Sequence, residues 1–283
     1  MKFHLDTAEL YIPDGLPAEP ALARTTHLCI AAHQDDIEIM AAAPILECFQ
    51  HPDKWFTGVV VTDGRGSPRN GVYEHYTDEE MRLVRFKEQR KAAFVGDYAA
   101  QILLDYPSKI IKDRSKTAPV EDLVHILRLT RPQVVYTHNF ADKHDTHVAV
   151  ASRVVAALRQ LAPEERPARL IGCEVWRALD WVQDEDKVAM DVSAHESLQH
   201  ALLGVFDSQI AGGKRYDLAS MGRRRANATY FESHGVDDAA GLSYGIDMTV
   251  LMTNPQLEVS EFIAAFIERF AQDVQNRIRR VNA

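Results

Sequence analysis

The chain has little cysteine, no long hydrophobic run and no excess of positive charge, and each absence removes a class of protein. Three cysteines, Cys29, Cys48 and Cys173, are too few and too scattered in 283 residues to frame a disulfide scaffold. A reducing cytoplasm is therefore the expected location. The longest apolar stretch, Ile39 to Leu46, falls far short of the roughly 20 residues a membrane-spanning helix needs. The first residues, MKFHLDTAELYIPDG, show no basic start followed by an apolar run, so no secretory leader is expected. With 32 Lys and Arg against 41 Asp and Glu, the formal charge is −9. That balance argues against a nucleic-acid partner, because affinity for a phosphate backbone comes from basic side chains. What the chain does have is 46% hydrophobic residues, enough for a sizeable core.

Residues 1–25, with Pro13, Pro17 and Pro20, read as a surface arm, and no composition break divides residues 26–283. Short apolar runs at 26–32, 55–62, 101–104, 133–137 and 170–175 read as strands. Helical patterns fall between them, at 41–50, 77–96, about 120–127 and 148–161. Thr77 and Glu80 form a capping-box pattern, and Gly96 stands at the far end of that helix. This alternation predicts an α/β fold with a mainly parallel sheet and helices on both faces. Beyond residue 180 the pattern loosens. A strand is expected at 188–191, a capping box at Ser193 and Glu196, loop and lid at 211–243, and a late strand at 248–253. A C-terminal amphipathic helix is expected at 261–280, with Phe262, Phe266, Phe270 and Val274 on one side.

Ligands of open α/β sheets sit beyond the carboxyl ends of the strands. The first strand is followed by His33-Gln34-Asp35-Asp36, and the fourth by His138-Asn139 and then His144-Asp145-Thr146-His147. Two His/Asp clusters thus fall at one end of the sheet. Imidazole and carboxylate suit a divalent ion such as Zn²⁺, and a catalytic zinc keeps three protein ligands and one open position. The first cluster can supply one His and one Asp, the second another His, and the remaining Asp could take a proton from water. The plainer reading of either cluster alone is strand-end turns and helix caps, where Asp is common.

Ala32-His33-Gln34-Asp35-Asp36 resembles the AHPDD signature of the LmbE-like, or PIG-L, N-deacetylases, and His144–His147 resembles their later HPDH signature. Arg85-x-x-Glu88, ahead of Ala92-Ala93 and Gly96, is similar to the family's RxxE…AA…LG helix. Asp191-Val192-Ser193 and Asp207-Ser208-Gln209 resemble its late DVS and SQ segments. The resemblance implies a Rossmann-like three-layer sandwich, with a less regular C-terminal region, that removes the acetyl group of an N-acetylated amino sugar or glycoside. It implies one Zn²⁺, or another divalent ion, held by His33, Asp36 and His147. Asp35 would be the general base, and His144 would steady the oxyanion or protonate the leaving amine. Arg85 falls at a sugar-contact position, although Glu88 three residues on also offers it an ion pair. Arg65, His138 and Asn139 are assigned to the substrate side of the pocket. Gln34 departs from the proline of the signature, His138 from a tyrosine in some relatives, and Asp207 from a histidine near the SQ. A small-molecule partner is expected, with no nucleic acid or membrane, and self-association stays open. Three alternatives remain: an amidase acting on a sugar–thiol conjugate, a metal phosphohydrolase of the all-helical HD type, and a non-catalytic sugar- or nucleotide-binding module. The leading strand argues against the second and Asp35 against the third.

Overall fold

The computed structural model describes residues 2–282. Its strands are β1 (Glu9–Tyr11), β2 (His27–Ala31), β3 (Phe56–Thr62), β4 (Ala100–Tyr106), β5 (Val134–His138), β6 (Arg169–Cys173), β7 (Lys187–Asp191) and β8 (Leu242–Asp247). Its α-helices are α1 (Ala18–Ala23), α2 (Asp36–Met40), α3 (Ala42–Cys48), α4 (Asp78–Val95), α5 (Ser108–Lys112) and α6 (Ala118–Thr130). They continue as α7 (Asp145–Arg159), α8 (Glu196–Gly204), α9 (Asp207–Ile210), α10 (Tyr216–Thr229), α11 (Thr249–Thr253) and α12 (Val259–Val281). The strands form one sheet in the order β1-β4-β3-β2-β5-β6-β8-β7. β2 pairs in parallel with both β3 and β5, β4 joins β3 and β6 joins β5 in the same sense, and β1, β8 and β7 add antiparallel edges.

Alternating strand residues face opposite sides, and each side has its own core. Leu28 and Ile30 of β2 pack with α6, α7, α11 and the start of α12, through residues such as Leu123, Val154, Leu251 and Phe262. Cys29 and Ala31 pack with α2, α3, α4 and α8, through Ile37, Ile45, Phe86 and Leu202. The result is the expected three-layer α/β arrangement. The chain order reverses at the β2/β5 pair, so a crevice opens beyond their carboxyl ends, where both His/Asp clusters lie.

Several local expectations are corrected. Residues 9–11, inside the presumed arm, pair with β4. A further helix, α2, precedes the one expected at 41–50. The capping box of α4 is present: Thr77 Oγ accepts from Glu80 N at 3.2 Å, and Glu80 Oε2 accepts from Thr77 N at 2.8 Å. Gly96 is not the left-handed residue there, since Asp97 takes φ 55°. A Cβ on Gly96 would instead come within 2.4 Å of the Tyr98 ring. The second capping box does not form, because Ser193 Oγ donates to Asp191 and His195 precedes α8. Residues 216–229 are helix rather than lid; the buried face includes Ser220, Arg224 and Asn227, so no apolar period marks it. The late strand is β8 at 242–247, and 249–253 is helical. In α12 only Phe262 and Phe266 are buried, whereas Phe270 and Val274 are exposed.

Between α4 and β4, Arg82 forks the Asp105 carboxylate, with Nε–Oδ1 and Nη2–Oδ2 both 2.7 Å. The two side chains are only 10% and 3% exposed. Arg82→Ala would leave Asp105 buried and unpaired, so we expect a loss of about 3–5 kcal/mol in urea denaturation. A loss under about 1 kcal/mol would show that water replaces the guanidinium there.

Candidate metal centre and pocket

The first cluster is shaped by the turn that leaves β2. Thr62 Oγ donates to Ala32 O at 2.7 Å, and Gln34 Nε2 donates to Thr62 O at 3.1 Å, pinning the turn to β3. The buried Gln34 thus supplies by side chain the rigidity a proline would give. Asp35 is held at φ 92°, a left-handed backbone region that non-glycine residues avoid unless their surroundings enforce it. Adjacent carboxylates are thereby sent different ways. Asp36 opens α2, and its Oδ2 accepts from His33 N at 2.7 Å. Asp35 Oδ2 lies 3.3 Å from Arg85 Nη2.

The second cluster is shaped by the loop between β5 and α7. Asp142 Oδ1 accepts from His144 N at 2.9 Å, and its Oδ2 accepts from Trp176 N at 3.0 Å. Asp142 Oδ1 also lies 3.5 Å behind His147 Nδ1, so Nε2 of that ring faces the first cluster. α7 begins three residues earlier than its apolar pattern, which places the buried His147 in its first turn.

The donor atoms meet at close range. His33 Nδ1 is 3.2 Å from Asp36 Oδ2 and 3.2 Å from His147 Nε2, and the last two atoms are 3.3 Å apart. Zinc–nitrogen and zinc–oxygen bonds of about 2.0–2.1 Å in a tetrahedron set ligand atoms about 3.3 Å apart. The three residues therefore fit a single divalent ion. Burial works to raise the Asp36 carboxyl, but His147 and His33 outweigh it and hold Asp36 well below the usual carboxylate range. Burial opposes protonation of His147, yet Asp36 and Asp142 raise it to about 10. The same surroundings that favour a proton on His147 would favour a cation shared among these donors.

Two further imidazoles stand within ligand range of this group. Their hydrogen bonds exclude them as ligands. His138 Nε2 accepts from Ala32 N at 2.9 Å, so its lone pair is engaged, and burial first of all drives the ring well below its ordinary basicity. His144 Nδ1 accepts from Thr146 N at 3.2 Å, which leaves the proton of the neutral ring on Nε2 as a donor. Burial, with His147 and His33, lowers its pKa. For Asp35, burial is the main cause that lifts the carboxyl to about 7, with Asp36 adding to it and Arg85 opposing.

These groups open into a cavity of about 620 Å³ whose wall includes His33, Asp35, Asp36, His144, Trp176 and Tyr216. Of the four assigned substrate contacts, Arg85 lines the cavity and the other three do not. His138 and Asn139 are fully buried, and Asn139 Nδ2 donates to Cys173 O at 2.8 Å. Arg65 turns out of the cavity to Glu79 at 2.8 Å. Arg85 borders the cavity, but its guanidinium is committed to Gln34 O, to Asp35, and to Glu88 and Ser208 at 3.3 Å each. Glu88 in turn accepts from Ser208 N and Oγ, both at 2.7 Å, which explains the SQ segment as an anchor for Arg85. Asp142 and Trp176 escaped the sequence reading; a carboxylate five residues before His147, on the same loop, was the available signal for the first.

Residues 28–158, a stretch that contains both clusters, match the family model described as PIG-L: GlcNAc-PI de-N-acetylase. A comparison with curated proteins returns no match. Solved structures share the fold. A 4-carboxy-2-hydroxymuconate hydratase from Pseudomonas putida is 14% identical with a TM-score of 0.61, over 79% of this chain and 95% of its own. The conserved protein TT1542 from Thermus thermophilus is 21% identical with a TM-score of 0.60, over 82% and 98%. The N,N'-diacetylchitobiose deacetylase from Pyrococcus horikoshii is 17% identical with a TM-score of 0.59, over 82% and 86%.

His33→Ala, Asp36→Ala and His147→Ala should each abolish stoichiometric zinc in metal analysis, since three ligands leave no redundancy. Asp142→Asn should weaken zinc by roughly 10–100-fold while the fold persists by circular dichroism. Full zinc occupancy in any of the three alanine variants would contradict the ligand set.

Proposed function

We propose that the protein is a divalent-metal-dependent hydrolase that removes the acetyl group of an N-acetylated amino sugar or glycoside. The carrying observation is a three-donor metal cradle with a second carboxylate, Asp35, beside it and outside the ligand set, both facing one cavity. The match of residues 28–158 to the PIG-L family model and the fold shared with a chitobiose deacetylase support the same reading. When bound, the metal supplies Lewis acidity and makes water a nucleophile near neutral pH. Asp35, lifted by burial, accepts the proton of the attacking water and passes it to the departing amine. His144 Nε2–H donates to the carbonyl oxygen as negative charge develops there. Arg85, braced by Glu88 and Ser208, fixes the direction of the Asp35 carboxylate without touching the reacting amide.

The same cradle and base could serve water addition, as in the hydratase that shares the fold, and acetate release separates the two reactions. All three cysteines are free and buried, in keeping with a reducing compartment. Among the described residues no helix is long and apolar enough to cross a membrane.

On zinc-loaded protein, Asp35→Asn should retain the metal and cut acetate release from N-acetylated glycosides by roughly 10²–10⁴-fold. Loss of the metal in that variant would mean that Asp35 is a ligand. His144→Ala should lower kcat at unchanged zinc content; weaker metal binding with a modest rate loss would reassign His144 to positioning His147.

A further inference from the structure

The cavity wall beyond His144 carries positive charge that the hydrolytic chemistry does not use. Lys143, Lys214 and Arg223 come from three separate places, the β5–α7 loop, the α9–α10 loop and α10, yet all line the same cavity. They converge on one aromatic ring. Lys214 Nζ lies 5.2 Å and Lys143 Nζ 6.0 Å from the centre of Trp176. Arg223 donates to the carbonyl of Val175, the residue before that tryptophan. A fourth cation, Lys112, also lines the cavity.

Among the described residues Lys112, Lys143, Lys214 and Arg223 make no ion pair within 4 Å; only Arg223 bears on a nearby carboxylate, Glu174, whose burial it partly offsets. The acids of the cavity are already engaged: Asp35 by Arg85, Asp36 by the imidazoles, and Asp63 by Arg65, whose Nε is 3.4 Å away. In a chain of formal charge −9, a cationic wall without close ion pairs inside a concave site focuses the field on an incoming anion. Lysines resting over an aromatic face are also placed to swing to a ligand at little cost. Tyr216 meets Trp176 edge to face at 5.9 Å, giving the subsite an apolar floor against which a sugar ring can lie.

We propose that Lys143, Lys214 and Arg223 form an anion subsite around Trp176, so that the ligand is a sugar carrying a phosphate or carboxylate substituent remote from its N-acyl group. The sugar and the acyl group rest on the deacetylase reading; the charge rests on the wall itself. Lys112 adds to the field from α5, and the reacting amide lies on the His144 side of the anion.

The test compares binding and turnover on zinc-loaded protein. Titration calorimetry with glucosamine 1-phosphate, the carboxymethyl glycoside of glucosamine and its neutral methyl glycoside measures charge preference with no acetyl group to remove. Each anionic ligand should bind about tenfold or more tighter than the methyl glycoside at low salt, with the gap shrinking as ionic strength rises. A preference for one anion alone assigns the subsite to phosphate or to carboxylate. The Lys143→Gln/Lys214→Gln double variant should narrow the gap. Equal affinities, no measurable binding of either anionic sugar, or a gap that survives the double variant overturns the subsite. Acetate release from the corresponding N-acetylated sugars is scored separately. Tight anionic binding without acetate release would sink the deacetylase reading and leave the anion subsite standing.

Discussion

One carboxylate oxygen holds the two halves of the site together. Asp36 Oδ2 takes the backbone N–H of His33 and lies within 3.3 Å of both the His33 and the His147 ring nitrogens. It is almost wholly buried. A bare anion there would be costly, and the balance is restored only by positive charge shared among the same atoms. That requirement explains why His147 is so basic and why a divalent ion fits. It also explains why the β2 turn and the start of α7 must meet at the one point of the sheet where the chain order reverses.

Four imidazoles crowd this point, and their hydrogen bonds divide the roles. Asp142 stands behind His147 and leaves its inner nitrogen free as a donor atom. Ala32 N occupies the lone pair of His138, which becomes packing, its ring stacked on His147 at 3.9 Å between centres. Thr146 N occupies one nitrogen of His144 and leaves the other as a proton donor to the cavity. His33 Nδ1 faces Asp36 and His147 directly. In the proposed site, identical side chains would thus serve as ligand, filler and donor through what their backs touch. Asp142 also holds the backbone of Trp176, so it couples the metal cradle to the wall that would receive the rest of the substrate.

The sequence made the sheet and the meeting of the two clusters legible because buried parallel strands read as apolar runs, and strand ends in such sheets are predictable places. His33, Asp35, Asp36 and His144 all line one cavity, and His147 stands buried directly behind them. What stayed hidden depends on partners far away in the chain. Arg85 looked available until Ser208, 123 residues on, was seen to help close its coordination. His138 and Asn139 looked like pocket residues because they follow a strand, but the loop folds back on Cys173 and buries them. α10 was invisible because its inward face is polar: Asn227 bonds Glu174, and Arg224 reaches the carbonyl of Glu38. Periodicity reports apolar faces only, so a helix held by buried hydrogen bonds reads as loop.

The central claim is that two imidazoles and one carboxylate, and no thiolate or third histidine, surround the metal. X-ray absorption at the zinc edge of zinc-loaded protein tests it most directly. The structure predicts a nitrogen and oxygen shell at about 2.0–2.1 Å with the outer scattering of two imidazole rings. Scattering from three imidazoles, or a sulfur shell at about 2.3 Å, would contradict it.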